Sequence, residues 1–347
     1  MVDKNGSVIA AGINPINLDT LPDFSQLSNM KFLEIIGLTS SVDNLDLKLN
    51  SNLQELKVMV HSISDILLPN DSSLSRIHVS TSVRSDMDNI GNLGSLKYLH
   101  LQGDIKFGGD LPNSLEFLSL NFYRGNLEDR HCGLDNLIFL SLPREGVLKN
   151  CDYSVNTKLK YFYMNKVNSV IDIKLPKSLV TLQMSDIKSN DIDFLSKNIA
   201  LENLYLLDTE VKSLKGAEYL TNLSRLEVRE SKIDNLKPLS RLQYLRVINI
   251  QDSNVSTLND LSELVNLEEL YLDGANITHL SGIPKLVHLK KLRLYDNPIR
   301  EIDVSTLEQL KFCYVSMDTN TQALKKYPNL DEALYQLSSR GTLPPLQ

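Results

Sequence analysis

Between residues 201 and 288 the apolar positions return every 22 residues. Four consecutive units begin at Leu201, Leu223, Leu245 and Leu267, and each is apolar at offsets 0, 3, 5, 10, 13, 16 and 19. The second reads Leu223, Leu226, Val228, Ile233, Leu236, Leu239, Leu242. Apolar residues two apart at the head of each unit predict a short strand with one face inward. The later offsets, three apart, predict a tight 3₁₀-like return path over the same core. The head of this pattern recurs from Met30, Leu53, Leu74, Leu96, Leu115, Leu137, Leu159 and Leu179, and again at Leu289 and Leu310, with starts 19 to 23 residues apart. Val8, Ala11 and Ile13 carry the same offsets ahead of Met30.

The L-x-x-L-x-L head identifies a leucine-rich repeat, whose turns stack and share one core. The expected fold class is α/β: a curved leucine-rich-repeat solenoid with a parallel β-sheet on its concave face, and loops and short 3₁₀ turns on its convex face. No linker breaks the register, so one domain is expected, with an N-terminal segment and partial repeat over 1–29, about 14 repeats over 30–316, and a C-terminal helical cap and tail over 317–347. The cap rests on Leu324, Tyr327, Leu330, Leu334 and Leu337 at near-helical spacing, interrupted by Pro328. Residues 1–7 offer no comparable cover. Two textures are expected. Up to about residue 190 the return half of each unit is irregular, and LP-x-S-L pieces at 111–115 and 175–179 use Pro112 and Pro176 to hold it extended. From about residue 195 the return half is regular.

LTNLSRLEVRESKIDNLKPL (220–239) and LVNLEELYLDGANITHLSGI (264–283) carry a closer likeness. Residues 201–302 resemble the SDS22-like class of 22-residue repeats, which includes phosphatase-1 regulatory subunits and bacterial internalins. The LP-x-S-L stretches resemble the shorter repeats of effector-type leucine-rich proteins. The class implies an asparagine at offset 8 that bonds the interior of the turn. Here only Asn297 has it; Thr209, Ser231 and Ser253 offer hydroxyls as partial substitutes, and Ala275 offers nothing.

Leu at offsets 3 and 5 points inward, so offsets 2, 4 and 6 face outward on the concave side. Those offsets hold Phe32, Tyr98, Phe117, Phe139, Tyr161, Tyr163, Tyr205, Tyr271, Tyr295, Phe312 and Tyr314, half of the chain's 13 Tyr and 9 Phe. Aromatics favour strands in general, but rows of outward Tyr and Phe also mark recognition surfaces. Offset 7 is acidic: Asp186, Asp208, Glu230, Asp252 and Asp296, with Gly274 filling the gap and Asp273 beside it. Two readings stay open for that row, a turn-forming aspartate that bonds its own backbone and a ridge that steers a basic partner. Beside it, Arg225, Arg229, Lys291 and Arg293 face Glu227 and Glu269, a mixed surface suited to a folded protein.

Composition narrows the class further. The net charge of −7 disfavours nucleic acid as a ligand. No apolar stretch is long enough to span a membrane. Cys132, Cys151 and Cys313 are odd in number and lack the clustered spacing of secreted caps, so the expected location is cytoplasmic, with the nucleus also open. Phosphate-loop, dinucleotide, zinc-protease and nucleophile-elbow motifs are absent. His78 and His100 sit at offset 4 of adjacent units with His61 near, but no fourth ligand is evident, so neither metal nor cofactor is expected. The reading is a non-catalytic scaffold or regulator that binds a folded protein, a phosphatase or another enzyme being implied by the resemblance. In that reading the contacts come from Tyr205, Glu227, Arg229, Tyr271, Asp273, Arg293, Tyr295 and Tyr314, from the ridge Asp208, Glu230, Asp252 and Asp296, and from Tyr98, Phe117, Phe139 and Tyr163. The alternative is the substrate-recognition array of a pathogen effector or ubiquitin-pathway receptor.

Overall fold

Alternation of inward Leu with outward polar or aromatic residues makes each unit head a strand. Along Asn203–Leu207, Leu204 and Leu206 are fully buried while Asn203, Tyr205 and Leu207 are half-buried. A computed structural model describes residues 1–2, 4, 7–14, 20–70, 73–120, 131–143, 151–165, 173–299, 304 and 306–315. The chain forms two compact units, Met1–Lys166 and Val167–Gln347. Each is a parallel-strand β-solenoid.

In the second unit the strands Thr181–Ser185, Asn203–Leu207, Arg225–Val228, Val247–Ile250, Glu269–Tyr271, Lys291–Leu294 and Phe312–Val315 pair in parallel, one per repeat. Their register is the repeat period itself: Leu204 opposes Leu226, which opposes Ile248, which opposes Leu270 and then Leu292. The return paths carry one-turn 3₁₀ helices at Asp193–Leu195, Ala217–Tyr219, Lys237–Leu239, Asn259–Leu261 and Ile283–Lys285. Leu236, Leu239 and Leu242, three apart as a 3₁₀ turn requires, are buried. Gly216 and Gly282 open two of these turns at φ 102° and 94°, where a Cβ would lie 2.5–2.6 Å from the backbone of the preceding coil. Only glycine fits there.

The first unit is more sheet-like than its sequence suggests. Ala10–Ile13, Phe32–Asp46, Glu55–Leu67, Arg76–Ser80, Tyr98–Gln102, Phe117–Ser119, Phe139–Ser141 and Tyr161–Met164 form one parallel ladder. A second parallel ladder runs where an irregular return was expected. Asn44 opposes Asp65, Asp65 opposes Asp86, and Ser85 opposes Ile105. The turn between the two ladders falls at Gly37–Ser41, where Gly37 opposes Val60 but Ser41 already opposes Ser62. The buried set Val42, Leu45, Ile63, Ile66, Met87, Ile105 and Phe107 closes the core beneath it. Beside Ala10–Ile13, the Met1 carbonyl accepts from the Ile9 and Ala10 amides at 3.0 and 3.3 Å.

Strands and 3₁₀ turns account for the regular structure of the described residues. No α-helix is among them, so the helical half of the α/β label finds no support there. The helical cap expected over 317–347 lies outside the described residues.

Leu226 and Leu270 are both fully buried. Changing either to Ala is expected to cost about 2–5 kcal/mol through lost transfer energy and an unfilled cavity. Denaturant titration measures it; near-zero loss at both positions contradicts the register.

Candidate functional site

The outward strand face of the first unit carries a stack of rings. Strand pairing aligns Tyr98 with Phe117 and Phe117 with Phe139. The ring centroids are 4.2 Å apart in both steps, at interplanar angles of 11° and 10°. Tyr163 continues the stack 5.2 Å from Phe139. At the other end, the Arg76 guanidinium lies 4.3 Å from the Tyr98 ring centroid. Face-to-face packing at this distance covers the ring faces and leaves their edges to solvent. The four first-unit residues expected in a binding surface therefore form one object.

Next to that row, His78 and His100 stand side by side as expected, ring centroids 4.4 Å apart. Burial first, then the neighbouring His78, push the His100 imidazole down to about 4. Burial and Lys57 lower His78 as well. His61 is exposed further along its strand. Among the described residues these three histidines do not form a metal-binding group.

The outward residues of the second unit largely hold one another. Offset 4 gives a single row across paired strands, Gln183, Tyr205, Glu227, Asn249, Tyr271, Arg293 and Tyr314. Arg229 meets Glu227 at 2.5 Å, Lys291 meets Glu269 at 2.9 Å, and the Tyr271 hydroxyl donates to Glu269 at 2.9 Å. Arg293 lies over the Tyr271 ring at 5.0 Å, and its Nε approaches Asp273 Oδ2 at 2.6 Å as an ion pair without a well-directed hydrogen bond. Asp273 also accepts the Tyr295 amide at 3.0 Å. Tyr295 and Tyr314 lie 6.0 Å apart. Burial, and then Glu269, push the Tyr271 hydroxyl well up, so it stays a donor. The cluster is cross-linked by its own ion pairs, hydrogen bonds and ring contacts.

The acidic row has a backbone cause. Asp186, Asp208, Glu230, Asp252 and Asp296 all adopt φ between 51° and 55°, and Gly274 adopts 64°. Left-handed backbone admits Gly, Asn and Asp more readily than other residues. The position demands that conformation because the amides of Asp186, Asp252 and Gly274 donate to the next coil's Leu207, Asp273 and Tyr295 carbonyls at 2.9–3.1 Å. Five aspartates and glutamates are nonetheless exposed in line. Geometry thus selects the row, which remains available as a ridge. Glu230 is the departure, since glutamate has no particular liking for this conformation.

Offset 8 behaves differently from expectation. Asn297 is bonded as the repeat class implies: Nδ2 donates to the Leu272 and Tyr295 carbonyls at 2.7 and 3.0 Å, and Oδ1 accepts from the Ile277 amide at 3.0 Å. The hydroxyls of Thr209, Ser231 and Ser253 do not replace it; they are buried without a hydrogen-bond partner, too short to cross to the main chain. The turns are instead closed by main chain. The Lys232, Asn254 and Asn276 amides donate to Val211, Ile233 and Val255 at 2.7–2.9 Å.

Cys132 and Cys151 form a disulfide between consecutive coils, with Cα atoms 5.4 Å apart. Their lack of clustered spacing in the sequence did not point to this pair. Their separation of 19 residues, close to one repeat, was the available signal. Cys313 is free and buried, and burial raises its thiol to about 11.

No protein-family model matches the sequence, and no curated protein matches it. Solved structures share the fold. An internalin (inlF) from Listeria monocytogenes is similar over 94% of this chain and 87% of its own, with a TM-score of 0.60 at 19% identity. A Leptospira interrogans LRR protein matches over 90% and 86%, with a TM-score of 0.64 at 19% identity. The plant peptide hormone receptor RGFR1, solved in complex with RGF2, matches 90% of this chain but 52% of its own, with a TM-score of 0.55 at 17% identity. These likenesses establish the leucine-rich-repeat fold.

Two outcomes follow from the site's polar groups. Asn297→Ala should cost about 2 kcal/mol or more, because the buried Leu272 carbonyl and Ile277 amide each lose the bond it makes to them, whereas Ser231→Ala should stay within about 0.5 kcal/mol of wild type or stabilise. Paired thermal and denaturant melts compare them. Second, His100 has a folded pKa below its unfolded 6.5, so the unfolded chain binds more protons between about 4 and 6.5 and stability falls as pH drops through that window. His100→Gln should flatten that slope, and an unchanged slope in a melt series from pH 7 to 4 refutes it.

Proposed function

We propose that this chain is a non-catalytic protein-interaction module whose outward strand faces hold a folded protein partner. The observation that carries the proposal is the Tyr98–Phe117–Phe139–Tyr163 stack. Its rings stand on the solvent side of a sheet whose core is already closed by leucine, and their edges present apolar area that folding alone does not call for. In the second unit, the pre-ordered Tyr271, Arg293 and Tyr295 group supplies the residue types that dominate binding energy, at little ordering cost. The exposed row Asp208, Glu230, Asp252 and Asp296 adds a one-signed edge that favours a basic rim on the partner.

The RGFR1–RGF2 complex offers an instance of the same fold, in a plant peptide hormone receptor, holding a ligand. The likeness of residues 201–302 to phosphatase-1 regulatory subunits makes a phosphatase catalytic subunit the first folded partner to test. A cytoplasmic or nuclear location requires Cys132 and Cys151 to be reduced there, whereas a persistent disulfide places the chain in an oxidising compartment.

The test begins with a partner captured from the native cell, identified by mass spectrometry and purified. Phe117→Ala and Phe139→Ala together, and separately Tyr271→Ala and Tyr295→Ala, should accelerate dissociation, with a loss of about 2 kcal/mol or more at true anchors. Asp208→Lys with Asp252→Lys should instead slow association and weaken its salt dependence. If all three variants bind like wild type, the strand faces are not the partner site.

A further inference from the structure

Among the described residues, one group of three side chains presents metal-ligand atoms to a common point: His131, Cys132 and Cys151, with those atoms all within 4.8 Å of one another. They lie on the return segments of consecutive coils, away from the strand residues assigned to partner binding. His131 is 2% exposed. Its Nε2 lies 3.4 Å from Cys151 Sγ and 2.7 Å from the Tyr153 hydroxyl. We propose that, when the two cysteines are reduced, His131 Nε2 and the sulfurs of Cys132 and Cys151 hold a zinc ion, with the Tyr153 hydroxyl or a water in the fourth position.

The donor set is the reason. Two thiolates and an imidazole are a set that zinc takes in tetrahedral sites whose fourth position is left to a water or another oxygen. Zinc–nitrogen and zinc–sulfur bonds of ~2.0–2.1 and ~2.3 Å at tetrahedral angles put nitrogen and sulfur about 3.5 Å apart. The observed 3.4 Å between Nε2 and Cys151 Sγ matches that edge. A disulfide needs no imidazole against it. The Tyr153 hydroxyl already holds Nε2, which keeps the ring nitrogen beside the sulfurs.

The two states exclude each other through sulfur chemistry. Exchange with two external thiols cleaves the Cys132–Cys151 bond, giving two cysteine thiols and one external disulfide. Zinc then displaces both thiol protons and needs the sulfurs opened to about 3.8 Å. In a reducing compartment the coils are therefore linked by metal, and in an oxidising one by the covalent bond. Either link ties the same two return segments.

The full chain, reduced and freed of reductant under anaerobic conditions, is titrated with Co²⁺ as a spectroscopic stand-in for Zn²⁺. One equivalent should produce sulfur-to-cobalt charge-transfer bands and intense visible bands of a tetrahedral site, bleached by one equivalent of Zn²⁺. Cys132→Ser and Cys151→Ser should each weaken binding at least tenfold, His131→Gln should weaken it too, and Cys313→Ser should change nothing. Wild-type chain alone provides a second readout that does not depend on variants folding. Zn²⁺ should protect Cys132 and Cys151 from alkylation, read peptide by peptide, and leave Cys313 unaffected. The absence of cobalt bands together with unprotected thiols overturns the proposal and leaves the pair as a structural disulfide alone. Bands that survive both serine substitutions overturn it as well.

Discussion

Each described strand takes its strand partners from the coil before and the coil after it, and those partners sit one repeat away in sequence. That constraint sets every lateral contact. Leu204 meets Leu226 because both lie at offset 3, and the same rule brings Phe117 to Phe139 and Tyr271 to Arg293. Whatever residue type recurs at an outward offset is thereby written onto the surface as a row. The ring stack and the Lys291–Glu269 and Arg293–Asp273 ion pairs are consequences of in-register parallel pairing.

The same constraint explains why the inner turn tolerates loss of its asparagine. Main-chain bonds between successive coils, such as Asn254 to Ile233, already satisfy the backbone where it bends. Asn297 adds to that closure in one coil, while Thr209, Ser231 and Ser253 occupy the space without bonding. Three buried hydroxyls lacking partners are a modest standing cost, which the fully buried leucines around them offset. The acidic row reflects a similar economy. A left-handed residue is needed at the strand exit, aspartate accepts that conformation, and a line of exposed charge results.

The two units solve the return path differently. In the second, apolar residues three apart wind into single 3₁₀ turns that present Leu239 and Leu261 to the core. In the first, Ser62–Leu67 and its neighbours pair as a second parallel ladder, so two sheets enclose the core there. Gly37–Ser41 supplies the slack that lets one strand serve both ladders.

The sequence by itself determined the strand at the head of each unit, its register and the inward set there, because a period of 22 residues leaves one way to bury Leu226, Ile248 and Leu270 together. It also placed the outward aromatics and the acidic offset correctly by strand alternation. Tertiary structure decided what those residues do. Alternation cannot say that Tyr98, Phe117 and Phe139 stack face to face, because that depends on side-chain rotation within a 4.2 Å gap. Nor can it say that the aspartates are left-handed, because φ is set by where the next coil's carbonyls lie. The second ladder was hidden because SISDILL (62–68) reads equally well as irregular chain until a neighbouring coil offers it hydrogen bonds. His131, Cys132 and Cys151 were hidden for the same reason. Chemistry shared between coils becomes visible only when stacking turns a separation of one repeat into contact.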